Sequence, residues 1–157
     1  MKTLQLSDAD ARKLHKANIP GVKEILESTW SKQFFSASIM ERVASEEDIF
    51  SELGIDLKDW TDKRISIGLR MDQIAKEKLE LLTQVLNEGW KPNWNDSSER
   101  KYYAWFYMNQ PGFRLGATYY GSADTLVGSR LVFKSEGLCL YAASQFLYLY
   151  ELAFSYE

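Results

Sequence analysis

The stretch KYYAWFYMNQPGFRLGATYYG, Lys101 to Gly121, holds eight of the chain's twenty-two aromatic residues in twenty-one positions. Its first eight residues are almost all rings, with only Lys101, Ala104 and Met108 between them. Strand alternation puts Tyr103, Trp105 and Tyr107 on one side and Tyr102, Phe106 and Met108 on the other. A large aromatic side chain can bury about 150–250 Å², at ~25 cal/mol per Å². Eight rings left in water would forfeit more than the net stability of a typical domain, about 5–15 kcal/mol. Residues 101–108 are therefore predicted to form a central strand with both sides covered. Asn109 to Gly112 has turn chemistry, and residues 113–120 form a second strand. After a turn at Gly121–Asp124, residues 126–134 are predicted to form a third. It places Leu131 and Phe133 on one side and Arg130, Val132 and Lys134 on the other.

Helices flank this segment. Ser7 reads as the N-cap of a helix to about Ala17, with Leu6 and Ala11 at staple spacing. Pro20 suits the first turn of a second helix to about Gln33, with Val22, Ile25, Leu26 and Trp30 on one stripe. Ser45 and Asp48 form a capping box for a short helix that Gly54 closes. Thr61 caps a long helix to Glu88, with Trp60 and Ile65 at staple spacing. Met71, Ile74, Ala75, Leu81, Leu82, Val85 and Leu86 run along its buried side. Gly68 and the Ile65–Ser66–Ile67 triplet weaken its first third, which allows a start as late as residue 70. Gly89 and Pro92 stop it. Ser135 caps a last helix to about Tyr156 that is apolar nearly all round. Such a helix is buried, at a subunit contact or in a membrane. Its seventeen-residue apolar run carries Ser144, Gln145 and Glu151, which argues against a membrane span.

The expected fold is thus α+β: a small antiparallel sheet of about three strands packed by the long helix and the C-terminal helix. Residues 1–57 form an N-terminal helical extension and residues 58–157 the helix–βββ–helix core of a single domain. The chain has 157 residues, so a core of this size needs no disulfide or metal to fold. The start, MKTLQLSDADARK, lacks the apolar stretch of a signal peptide. A single cysteine, Cys139, suits a reducing compartment.

The net charge is −3, all of it within residues 1–90; residues 91–157 balance to zero. That weighs against a duplex-DNA binder dependent on phosphate contacts. Between residues 98 and 135, however, Arg100, Lys101, Arg114, Arg130 and Lys134 face only Glu99 and Asp124. His15 and Cys139 are single members of their kinds, so no zinc site is expected. His15 reads as a solvated surface residue and Cys139 as buried packing. No phosphate loop, dinucleotide fingerprint or nucleophile elbow is present. The acids Glu46, Glu47 and Asp48, and Asp56, Asp59 and Asp62, read as helix-dipole partners and solvated faces. No catalytic residue, metal or cofactor is assigned.

The block VLNEGWKPNWNDSSERKYYAWFYM, then VGSRLVFKS and YAASQF, resembles a group of uncharacterised proteins encoded by gut Bacteroidales phages, prophages and mobile elements. The likeness extends back through DIFSELGID and VKEILESTWSKQFF. The chain departs from the group's pattern at Ala104, where proline is frequent, and at Val132, where cysteine is. The resemblance implies a phage or mobile-element origin and no particular activity.

Five of the nine tyrosines lie between residues 102 and 120, and tyrosine's polar tip suits an edge or a partner. Tyr119 and Tyr120 near a turn, with Arg114 and Arg130 on neighbouring strands, would make an aromatic–arginine rim, with Trp94, Arg100 and Lys101 beside it. These seven residues are the expected binding site. The favoured function is a non-enzymatic accessory protein that binds a protein partner there. The second is a single-stranded nucleic-acid binder that stacks bases on the same sheet. The C-terminal helix, through Tyr148 and Phe154, is a candidate homodimer contact. No membrane association is expected. The location is the host cytoplasm or the virion.

Overall fold

The computed structural model describes residues 5–109 and 111–155, in two compact units, Met1–Leu57 and Lys58–Glu157. Gln110 in the expected turn and Tyr156 at the expected end of the last helix lie outside the described residues.

The N-terminal unit is helical: α1 (Asp8–Lys16), α2 (Val22–Trp30), α3 (Lys32–Ser36), α4 (Ile39–Arg42) and α5 (Glu46–Leu53). The caps are those the sequence signals. The Ser7 side chain accepts from the Asp10 N–H, Ser45 and Asp48 make a reciprocal capping box, and Gly54 closes α5. The expected second helix is broken. Ser31 adopts φ 77°, ending α2, and its hydroxyl then caps α3. Leu26 is buried but Ile25 is exposed, so the α2 stripe is narrower than predicted. Ala11, Val43, Ile49 and Phe50 form the small core. Beside it, Glu52 accepts from both Arg12 (2.8 Å) and Arg42 (2.9 Å). Arg12 also lies over the Phe34 ring at 3.9 Å.

The second unit comprises the greater part of α6 (Leu57–Ser66), then α7 (Met71–Leu86), strands β1 (Lys101–Tyr107) and β2 (Arg114–Gly121), and helices α8 (Glu136–Gln145) and α9 (Leu147–Phe154). The fold is α+β with an antiparallel sheet, but the sheet has two strands among the described residues. The single long helix is two. Gly68, at φ 84°, turns the chain between α6 and α7, and Thr61 lies inside α6 rather than capping it. On α7, Leu79 is buried, while Met71 is exposed and Leu81 half-buried. The last helix is also two, with the buried Phe146 at the joint.

The third strand is reduced to one rung. The Tyr102 N–H donates to the Phe133 carbonyl (3.0 Å) and the Phe133 N–H to the Tyr102 carbonyl (2.8 Å). Gly128, at φ 78°, begins a turn that the Leu131 N–H closes onto the Gly128 carbonyl, so the chain curls away before a second rung forms. On the other side of Phe133, the buried Asn87 at the end of α7 does the work of a neighbouring strand. Its Nδ2 donates to the Val132 carbonyl (2.8 Å) and its Oδ1 accepts from the Lys134 N–H (3.0 Å). Side-chain amides can satisfy buried backbone groups that a ladder leaves over.

The core is layered. α8 lies against both strands, α7 packs along α9, and Leu82, Leu86, Phe133, Cys139, Phe146 and Leu149 fill the space between. Asn87→Ala should cost about 2–4 kcal/mol, because it leaves a buried donor and a buried acceptor unmatched. Asn87→Asp should cost at least as much, because it sets a buried carboxylate oxygen against the Val132 carbonyl. Urea unfolding of the full chain checks both, and a cost for the alanine variant under ~1 kcal/mol would show that the clamp is not needed.

Candidate functional site

The hairpin has two unlike faces. The register pairs Lys101 with Gly121, Tyr103 with Tyr119, Trp105 with Ala117 and Tyr107 with Arg114; these share one face. Tyr102 with Tyr120, Ala104 with Thr118, and Phe106 with Leu115 share the other. A bulge between Trp105 and Phe106 keeps the parity, with Gly116 as the extra residue. A Cβ on Gly116 would come within 2.9 Å of the Tyr107 ring.

The second face is the covered one. Phe106 stacks on Phe113 (4.8 Å between centroids) and meets Tyr150 (4.8 Å) and Phe154 (6.2 Å) of α9. Thr118 donates to Glu136 at the start of α8 (2.8 Å). Burial and the nearby thiol push the Tyr150 phenol well above its ordinary range.

The first face is open. Trp105 is 46%, Tyr107 49% and Tyr119 52% exposed. Tyr119 sits between the other rings, stacked beside Tyr103 at 6.5 Å and edge-on to Trp105 at 6.0 Å. The expectation that both sides of residues 101–108 are covered is therefore wrong. β1 is not central in a three-stranded sheet, and one layer of helices covers one side.

The seven expected site residues do not converge. Tyr119 lies on the open face and Tyr120 on the opposite one, with Tyr102 at 5.8 Å and the Arg100 guanidinium over its ring at 4.5 Å. Arg114 is at the turn end of the open face. Its guanidinium lies over Tyr107 at 4.8 Å and donates to the Asn109 and Gly112 carbonyls, 3.1 Å each. Arg130 is on no strand; it pairs with Glu80 of α7 at 3.2 Å. Lys101 is fully buried. Its ammonium donates to the carbonyls of Asp96 (3.0 Å), Glu99 (2.8 Å) and Ser122 (2.9 Å), and lies 5.4 Å from the Trp94 ring centre. Lys101 and Trp94 thus tie the loop before β1 to the turn after β2. Backbone donation from Asn93, with help from Lys101 and Trp90, holds the Glu99 carboxyl below its ordinary range.

The residues missed as a site are Tyr103, Trp105 and Tyr107. Their shared parity was legible in the sequence. The signal that they are open lies in β2, where the residues across from them are Arg114, Ala117 and Tyr119, with no aliphatic side chain larger than a methyl among them.

His15 is not solvated. It meets Glu27 at 2.9 Å and stacks flat on Phe35 at 4.0 Å. Asp59 and Asp62 pair with Lys63 and Lys58. Of the expected self-association residues, Tyr148 is 48% exposed, whereas Phe154 is engaged with Phe106 and Tyr150. Among the described residues no helix is long and apolar enough to cross a membrane. No family model matches the chain, and neither the curated proteins nor the solved structures show significant similarity to it.

Two measurements test this geometry. Trp105→Ala should leave stability within ~1 kcal/mol of the parent, since the ring is half in water, whereas Phe106→Ala should cost about 3 kcal/mol or more. Equal losses in chemical denaturation would contradict the assignment of faces. Burial, with Glu136 adding to it, pushes the Cys139 thiol up to about 12. The neutral thiol is the folded form, so its contribution is full below the unfolded value, about 8.5, and falls as pH rises towards 12. Iodoacetamide at pH 8 should label Cys139 in denaturant and not in the folded chain; rapid labelling of the folded chain would exclude this burial.

Proposed function

We propose that the protein is a non-enzymatic interaction module whose open hairpin face, Tyr103, Trp105, Tyr107 and Tyr119, grips a protein partner. One observation carries this reading: Trp105, Tyr107 and Tyr119 are about half exposed beside the half-buried Tyr103, and the two cations of their face, Lys101 and Arg114, are engaged by carbonyls at its ends. Half-exposed rings leave on the order of 100 Å² each in water. Together they approach the size at which an apolar patch on a monomer marks an interaction site, about 300–600 Å². Tryptophan and tyrosine are also the side chains that most often dominate protein interfaces. The setting, an accessory protein of a phage or mobile element acting in the host cytoplasm, rests on the sequence resemblance.

A second reading, a platform for single-stranded nucleic acid, draws on the alternate rings along β1, which recur every ~7 Å. Electrostatics weigh against it. Such binders combine stacking with a cationic groove. Here the Lys101 ammonium is buried among carbonyls, and Arg114 is engaged with the turn and with Tyr107. Arg100 lies over Tyr120 on the other face.

A photo-crosslinking residue at position 107, introduced into the chain in host cells, should give a discrete protein adduct that Trp105→Ala and Tyr119→Ala remove. The same residue at Ile67, an exposed control, should give none. Titration with oligothymidylate at low salt should leave tryptophan fluorescence unchanged. Saturable quenching that weakens with salt, or adducts to nucleic acid, would replace the protein reading with the second one.

A further inference from the structure

A cleft of 630 Å³ runs along α7, lined by residues of α6, of α7 and of the segments that follow α7 and precede α8. Trp60 and Arg64 of α6 form one wall, and Glu77 and Glu80 of α7 the floor. The loop Trp90–Lys91, with Arg130, closes the other side. The volume is that of a small-molecule site, about 300–1,000 Å³.

The charges do not cancel. Glu77 is engaged by Arg64 Nε (2.9 Å) and Glu80 by Arg130 (3.2 Å). Each arginine uses one nitrogen for its glutamate and keeps further donors, and Lys91 has no ion pair among the described residues. Three cations against two carboxylates leave the lining one unit positive, in a chain of net charge −3.

The rings are held in place. The Arg64 guanidinium lies over the Trp60 ring at 3.8 Å, which holds it at the wall. Trp90 Nε1 donates to Glu99 (3.3 Å), whose other oxygen accepts from the Asn93 N–H (2.7 Å). The Trp90 indole is half-buried and fixed at its polar edge, so its placement costs little at the moment of binding.

We infer that this cleft binds a small ligand combining a flat ring with one anionic group, a carboxylate or a phosphate. The ring lies against Trp90 and the anion meets Lys91 with the unengaged donors of Arg130 and Arg64. Guanidinium forks suit both anions; the ammonium adds the charge that the two carboxylates leave uncompensated.

The test uses the full chain, ¹⁵N-labelled, with benzoate, phenyl phosphate, inorganic phosphate and benzyl alcohol as probes. The Trp90 indole N–H signal is identified by its loss in Trp90→Phe. Benzoate or phenyl phosphate should shift that signal saturably, with a dissociation constant of about 1 mM or below. The Trp105 signal should not move. Inorganic phosphate and benzyl alcohol should each bind at least about threefold more weakly than the better ringed anion. Which of the two ringed anions binds tighter assigns the anion. Lys91→Gln with Arg130→Gln, both exposed positions, should weaken binding roughly tenfold while the remaining spectrum keeps its dispersion. The proposal is overturned by no saturable shift at Trp90 up to ~20 mM of either ringed anion. Benzyl alcohol binding as tightly as benzoate, or an unchanged affinity in the double variant, would overturn it too.

Discussion

Two strands have two faces, and a single layer of helix lies against them. That constraint organises the second unit. Parity divides the rings into a set that folds the protein and a set that does not. Tyr102, Ala104 and Phe106 point to α8 and α9, where Phe106 joins the Tyr150–Phe154 cluster. Tyr103, Trp105 and Tyr107 point the other way. Most of the eight rings are therefore not inside: Tyr102, Tyr103, Phe106 and Phe113 are half-buried, and Trp105, Tyr107, Tyr119 and Tyr120 are exposed. Leu82, Leu86, Phe133, Phe146 and Leu149 supply a core away from the strand, so the hairpin needs only one side to be anchored.

The ends of the hairpin explain why an open face can still be well placed. At one end the Lys101 ammonium gathers three carbonyls from both sides of the sheet. Removing such a donor would leave those carbonyls buried without a partner, a cost larger than the net gain from any one of the bonds. At the other end Arg114 takes two carbonyls of the turn and covers Tyr107. Along the edge of β1, Phe133 adds one rung, held from behind by Asn87. Cations read in the sequence as a binding patch are thus largely fasteners.

What was legible was local. Ser7, the Ser45–Asp48 box, Gly54 and Ser135 sit where their chemistry places them, because a cap is settled within four residues. The α+β class, the two-strand hairpin and the weakness around Gly68 follow from patterns of similar range. What could not be read depends on distant partners. The third strand stops at one rung because the turn at Gly128 takes the chain away, and its outer edge is satisfied by Asn87, some forty-five positions upstream. Arg130 leaves the expected rim because Glu80, fifty positions upstream, pairs with it. Lys101 looks like a surface cation until three carbonyls from two separate loops close on it. The candidate face was half legible: alternation identified its members, and only the number of covering layers showed it to be open.

The balance between ring and charge then bears on what such a face is for. A half-exposed tryptophan on a strand adds little to folding, because much of its apolar surface stays in water whether the chain is folded or not. Three residues of that kind beside one another, with Ala117 and Gly116 leaving room across the hairpin, hold back a favourable burial that folding does not complete. A ligand that completes it must be apolar enough to displace water from the rings. It must also be neutral enough not to need the cations, which carbonyls and ring faces already hold. A protein surface meets both conditions, whereas a phosphate backbone meets neither. The small anion is met by different chemistry, in the α6–α7 cleft, where the Lys91 ammonium has no ion pair among the described residues and two guanidinium groups are only partly engaged.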